Sequence, residues 1–231
     1  MSENFNPDEW RRQRRTEFRD RKDAQFYIFC EGEKTEPNYF KAFKKLIEKN
    51  AIYKDMVLIQ IEGCATDTVR VLDRAEKYVK ENGVIKGQVW CVYDLDSFNR
   101  EDFDKVLPRM DALNKSNAQL KYYAGWSNQC VEYWFLLHFG YYTSDNHRTE
   151  YIKALNEQMK KAGRKYRKND EGNFDFLLKY GDPRKAIKYA EKRLKEEKDK
   201  LPSQIAPGTN VQALVKELAK YLPSPEKEKF I

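Results

Sequence analysis

The sequence predicts an α/β protein: a parallel sheet flanked by helices, followed by a mainly helical C-terminal extension. Apolar runs of strand length alternate with amphipathic segments over residues 24–126, the pattern of parallel strands covered on both faces. After Trp126 the strand signal stops and helical periodicity takes over. Of the 231 residues 35% are charged and the mean hydropathy is −0.91, but 14% are aromatic, which argues for a folded chain with a substantial core.

Residues 24–30, AQFYIFC, form a buried first strand that stops at a glycine-containing turn. Thr35 caps a first helix reaching about Asn50, with Pro37 in its first turn and Tyr39, Phe40, Phe43, Leu46 and Ile47 at helical spacing. Residues 56–61 form a second strand. Thr66 or Asp67 caps a second helix with Val69, Leu72, Ala75, Tyr78 and Val79 inward, ended by Asn82-Gly83. A third strand (88–93), a third helix (100–113) and a fourth strand (120–124) complete the core. The extension reads as an apolar helix over 129–139, a basic helix over 150–161, a short helix over 174–179 and a long charged helix opened by Asp182 and Pro183. Residues 201–209 hold two prolines and a glycine and read as a loop; Thr209 or Asn210 then caps a last helix with Val211, Leu214, Val215 and Leu218 inward. The expected organisation is a basic arm (1–23), an α/β core (24–126), a helical extension packed on it (127–222) and a disordered tail (223–231).

No apolar run is long enough to span a membrane, and the N-terminal MSENFNPDEWRRQRR lacks the apolar stretch of a secretory signal. Cys30, Cys64, Cys91 and Cys130 lie far apart without a CxxC pair, and two of them sit inside apolar runs, where a reduced thiol packs as a small hydrophobe. With His138 and His147 as the only histidines, a zinc centre is not expected. The expected location is the cytoplasm.

The formal charge of +7 is uneven. Residues 10–22, with Arg11, Arg12, Arg14 and Arg15, carry a local +5, and residues 153–168, with Arg164, Lys165, Arg167 and Lys168, a local +6. Such runs attract polyanions, because each phosphate neutralised releases counterions. A solvated helix face is the simpler explanation for 184–200, where acids and bases alternate, but it suits 153–168 poorly: few acids are interleaved and Tyr166 sits among the bases.

In open parallel sheets ligands gather beyond the carboxyl ends of the strands. Two of these ends are acidic: the first strand runs into Glu31-Gly32-Glu33-Lys34-Thr35-Glu36 and the third into Asp94-Leu95-Asp96-Ser97. In extended geometry Asp94 and Asp96 lie on one side, and two anions so close call for a cation. Mg²⁺ binds through one or two carboxylates while keeping waters and phosphate oxygens, with Mn²⁺ as a substitute. Glu31 is then a further ligand or the base for an attacking water, and Gly32 admits a phosphate close to the backbone. The simpler reading makes Asp96 and Ser97 the caps of the next helix.

Glu31-Gly32 together with Asp94-Leu95-Asp96 resembles the Toprim signature, the metal-binding fold of topoisomerases, bacterial primases and OLD-type nucleases. EGEKTEPNYF (31–40) is similar to the opening motif of RloB-like proteins, a Toprim-related bacterial family. SNQCVEYWFLLHF (127–139) resembles that family's Ser-Asn-Pro…Glu-x-Trp-Leu-Leu-Leu-His-Phe motif, with Gln129 where the family usually has proline. Tyr166-Arg167-Lys168 resembles its Tyr-x-Lys, and Thr209-Asn210-Val211 with Leu214-Val215 its closing helix. The match runs through residues 10–222 as an ordered series.

The resemblance implies a Toprim-like fold and a Mg²⁺-dependent nuclease of antiphage or restriction-linked defence, acting on RNA, tRNA included, ahead of DNA, beside an ABC- or OLD-type ATPase. Glu31, Asp94 and Asp96 are the expected metal ligands. Glu132 is either a further carboxylate of the site or the partner of a nearby base, and His138 reads first as a core histidine. Lys168 is set to hold the scissile phosphate, and Lys34, Arg164, Lys165 and Arg167, with the N-terminal arginines, to contact nucleic acid. The alternative is a non-catalytic module that binds nucleic acid or docks on an ATPase, with a structural Asp pair.

Overall fold

The computed structural model describes residues 8, 16–19, 22–96 and 99–231. The expected Toprim-like α/β architecture is what the chain adopts. Strands β1 (Ala24–Cys30), β2 (Val57–Gly63), β3 (Gly87–Asp94), β4 (Leu120–Asn128) and β5 (Gly208–Thr209) form one sheet in the order β2-β1-β3-β4-β5. The first four are parallel, and β5 pairs antiparallel with the end of β4.

Side-chain alternation along β1 assigns each residue to one face. Phe26, Ile28 and Cys30, with Trp90 and Val92 of β3, meet helix α1 (Thr35–Glu48) through Tyr39, Phe40, Phe43 and Ile47. Tyr27 and Phe29, with Val89, Cys91 and Tyr93, meet α2 (Thr68–Glu81) and α3 (Arg100–Ser116). Both faces of these strands are therefore apolar, which is why they read as uninterrupted runs. The first face is also covered by the C-terminal helices: α4 (Glu132–Leu136), α5 (Arg148–Lys160), α6 (Asn173–Tyr180), α7 (Pro183–Glu196) and α8 (Val211–Ala219) share its core cluster. The core and the extension pack around one continuous apolar interior on this side. Among the described residues no helix is long and apolar enough to cross a membrane.

Several sequence expectations need correction. Thr35 is the first residue of α1, not its cap, which is Lys34. Asp67 caps α2, but Asn99, not Asp96, caps α3, its side chain accepting from Glu101 N–H at 2.9 Å. The apolar helix expected over 129–139 shrinks to the five residues of α4: β4 runs on to Asn128, pairing there with β5, and Gln129 follows with φ 80°, outside helical geometry. The loop expected over 201–209 contains that strand and a 3₁₀ turn, Pro202–Gln204. The tail after Pro223 is not disordered: Ser224–Lys227 form a helix α9, and Phe230 is buried with its ring 5.3 Å from that of Phe43.

Candidate active site

β1 and β3 lie side by side and their connections leave in different directions, β1 toward β2 and β3 toward β4. This is the switch point at which open α/β sheets bind ligands. The register, Cys30 opposite Val92, sets Glu31 beside the end of β3. Glu31 N–H donates to Val92 C=O at 2.8 Å, and its carboxylate accepts Asp94 N–H through Oε2, also at 2.8 Å. Asp94 Oδ2 accepts Val131 N–H at 3.0 Å. From α4 the buried Glu132 accepts the Tyr166 hydroxyl at 2.8 Å and meets Lys168 Nζ at 3.6 Å, both through Oε1. Glu36, in the first turn of α1, is buried against Gly32: a methyl at Gly32 would lie 2.4 Å from Glu36 Oε2.

These acids act on one another. Burial, with the charges of Glu36, Asp96 and Asp67, pushes Glu31 up to about 7 despite the Asp94 N–H. Burial and then the charges of Glu36, Glu132 and Glu31 hold Asp94 well above the usual carboxylate range, against the Val131 N–H. Burial and the charge of Glu132 likewise raise Glu36, against a main-chain hydrogen bond and Lys168. Asp94 Oδ1 and Glu132 Oε2 are buried with no hydrogen-bond partner among the described residues. Crowded carboxylates with oxygens left unpaired suit a hard divalent cation, for which Glu31 and Asp94, with Glu36 and Glu132 near, would supply oxygen ligands. No three of the described acids, histidines or cysteines stand ready in a ligand arrangement.

Asp96 departs from expectation. The chain leaves extended geometry after Asp94, Asp96 has φ 39°, and its N–H donates to Gln129 C=O at 3.1 Å. Its carboxylate pairs with Arg148, while its charge still acts on Glu31. Asp96 is one of three non-glycine residues with positive φ among the described residues, the others being Ala65 (48°) and Gln129 (80°). All three stand within two residues of the carboxyl ends of β3, β2 and β4, on the edge that carries the acids. Strain of this kind costs about 1–3 kcal/mol per residue and concentrates at functional sites. A proline ring forbids the φ of Gln129, so the turn here is not one that the family's usual residue could adopt.

Of the predicted phosphate contacts, Lys34 and Lys168 come together, lining with residues 32–36 and Asn169 a cavity of about 320 Å³ beside the acids. Lys165 and Arg167 are exposed nearby. Arg164 is not free for a ligand: it pairs with Asp170 at 2.7 Å and donates to Gly172 C=O. Tyr166 points inward to Glu132 rather than outward among the bases. Arg11, Arg12, Arg14 and Arg15 lie outside the described residues. From the same basic run, Arg19 donates to the carbonyls of Asn82 and Gly83, and Lys22 to that of Asp55. A larger cavity of about 610 Å³ lies by Asp182 and Arg184, but Arg184 is spent on the carbonyls of Glu228 and Ile231.

His138 is a core residue. Burial pushes it down to about 4, and its Nδ1 lies 3.1 Å from Trp134 C=O. Asn128, at the end of β4, donates to Ser203 C=O at 3.0 Å. Sequence reasoning named Glu36 only as part of the first loop, placed Tyr166 among the bases instead of beside Glu132, and missed Arg148; the EGEKTE spacing, which returns a second acid to the strand end, was the available signal for Glu36. The model of the family described as RloB-like protein matches residues 26–218, most of the chain. Comparison with curated proteins and with solved structures gives no match.

Proposed function

Since the chain belongs to the RloB-like protein family, we propose that it is a Mg²⁺-dependent nuclease, Mn²⁺ substituting, that cleaves phosphodiester bonds in RNA, tRNA included. We place it in the cytoplasm, in antiphage or restriction-linked defence, beside an ABC- or OLD-type ATPase. The observation that carries the reading is the convergence of Glu31, Glu36, Asp94 and Glu132 at one strand edge, with Asp94 Oδ1 and Glu132 Oε2 buried and unpaired. A divalent cation bound there supplies the charge that activates water and stabilises the leaving oxygen.

The chain's own groups do the rest. Glu31 and Asp94 hold the cation from adjacent strands, and Asp94 N–H fixes the Glu31 carboxylate before any ligand arrives. Lys168, nearly half exposed and tethered to Glu132, reaches the cavity and takes a non-bridging phosphate oxygen. Lys34, Lys165 and Arg167 take neighbouring phosphates. Tyr166 holds Glu132 in place.

The test is incubation of the purified protein with total tRNA, duplex DNA and single strands, with EDTA, Mg²⁺ or Mn²⁺. We expect cation-dependent products from RNA, reduced at least 100-fold in Asp94→Asn and in Glu31→Gln. An Asp94→Ala/Asp96→Ala protein that cuts at the full rate in Mg²⁺ refutes the mechanism.

A further inference from the structure

Arg148 is the first residue of α5, and it is held there by the loop that precedes it. The buried Tyr133 donates its hydroxyl to Tyr142 C=O at 2.9 Å. The buried Tyr151 donates to Ser144 C=O and accepts Asn146 N–H, both at 3.0 Å. His147 caps the helix by accepting Thr149 N–H. The guanidinium is therefore delivered to Asp96 by a pinned loop, and both side chains are about one-third exposed, Arg148 33% and Asp96 30%. Asp96 is in turn fixed by its hydrogen bond to Gln129. The second acid of the Asp-x-Asp pair thus already has a built-in counter-ion, while Asp94, two residues away, keeps an unpaired buried oxygen.

Resting on the nuclease reading, we propose that Arg148 is a positioning residue that withholds Asp96 from the carboxylate group, so that a divalent cation recruits Asp96 only by displacing the guanidinium. The cation and Arg148 compete for one carboxylate. Loss of Arg148 therefore tightens cation binding, and it does so only while Asp96 is present to be released.

The experiment is Mn²⁺ titration of the full-length chain by calorimetry, with no nucleic acid present, for wild type, Arg148→Ala, Arg148→Gln, Asp96→Asn and the Arg148→Gln/Asp96→Asn double variant, each checked for folding by circular dichroism. We expect Mn²⁺ affinity to rise about tenfold in Arg148→Gln and to change less than about twofold when the same substitution is made on Asp96→Asn. Equal tightening in both backgrounds means that Arg148 acts only as a nearby positive charge and overturns the inference while sparing the site. Unchanged or weakened binding in folded Arg148→Gln and Arg148→Ala also overturns it. Absence of Mn²⁺ binding in every protein, wild type included, overturns the site reading itself.

Discussion

The buried His138 makes the stability of the fold depend on pH, and its replacement by asparagine tests this. The ring is buried, stands edge-on to Trp134 at 4.9 Å between ring centres, and has Nδ1 3.1 Å from Trp134 C=O. A neutral imidazole donates that bond through Nδ1–H, and the asparagine amide places a donor in nearly the same position. An ordinary histidine titrates near 6.5, but burial takes His138 to about 4 even with the main-chain hydrogen bonds of Trp134 and Phe135, and then the charge of Asp182, acting the other way. Between these values the unfolded chain holds a proton that the folded chain refuses, so stability falls as pH falls. At about 1.4 kcal/mol per pH unit the loss amounts to about 3 kcal/mol, absent above pH 6.5 and complete below about pH 4. The buried acids titrate in both proteins, so the quantity to follow is the difference between wild type and His138→Asn. Urea unfolding in EDTA, read by tryptophan fluorescence from pH 7.5 to 4, should show wild type losing about 3 kcal/mol relative to the variant, on top of a pH-independent offset from the smaller side chain. A difference that stays flat within about 0.5 kcal/mol refutes the reasoning and means that the imidazole is charged or solvated in the fold.

Four further outcomes are expected. Phe230→Ala should cost about 3 kcal/mol in urea unfolding, because the ring is buried against Phe43; an unchanged midpoint would mean that the last residues do not hold the core. Tyr166→Phe should lose about 2 kcal/mol by removing a buried hydrogen bond to Glu132, and a neutral result would show Glu132 to be hydrated. Gly63→Ala should depress cleavage far more than its melting temperature suggests, because the added methyl meets Gly32 O at 2.8 Å and Glu33 Cα at 2.9 Å, displacing the loop that carries Glu31. Lys165→Ala/Arg167→Ala should lower the salt slope of single-stranded RNA binding by about 1.4, measured by fluorescence anisotropy, whereas Arg164→Ala should lower thermal stability and leave the slope unchanged.

The parallel sheet was legible because β1 and β3 are apolar on both faces, a pattern that an uninterrupted run announces. Their ends were legible too, so Glu31 and Asp94 could be paired from the sequence. The errors at the end of β4, at Asp96, at Tyr166 and in the tail share a physical cause: each turned on a partner remote in sequence. Ser127 and Asn128 remain in β4 because Thr209 and Ser203, more than seventy residues on, satisfy them. Asp96 faces Arg148, 52 positions away, and a local Asp-x-Asp pattern carries no trace of that ion pair. Tyr166 looked like an aromatic among phosphate-binding bases, yet its hydroxyl answers Glu132, 34 residues earlier. Phe230 is one aromatic in a polar tail, and only the assembled Phe43 surface shows what it covers.

One interior joins the first strand to residues as late as Phe230, and the acid edge draws Glu31 and Glu36 from the start of the chain but Glu132 and Lys168 from well past its middle. During synthesis the early acids leave the ribosome long before their partners. At ordinary elongation rates the interval between residue 36 and residue 168 is on the order of 10 s. For most of that interval a nascent chain carries Glu31 and Glu36 without Glu132, Tyr166 or Lys168. The acid edge is therefore assembled late: it is complete only once the chain has been made through Lys168, so its early carboxylates wait on residues from the extension for their partners.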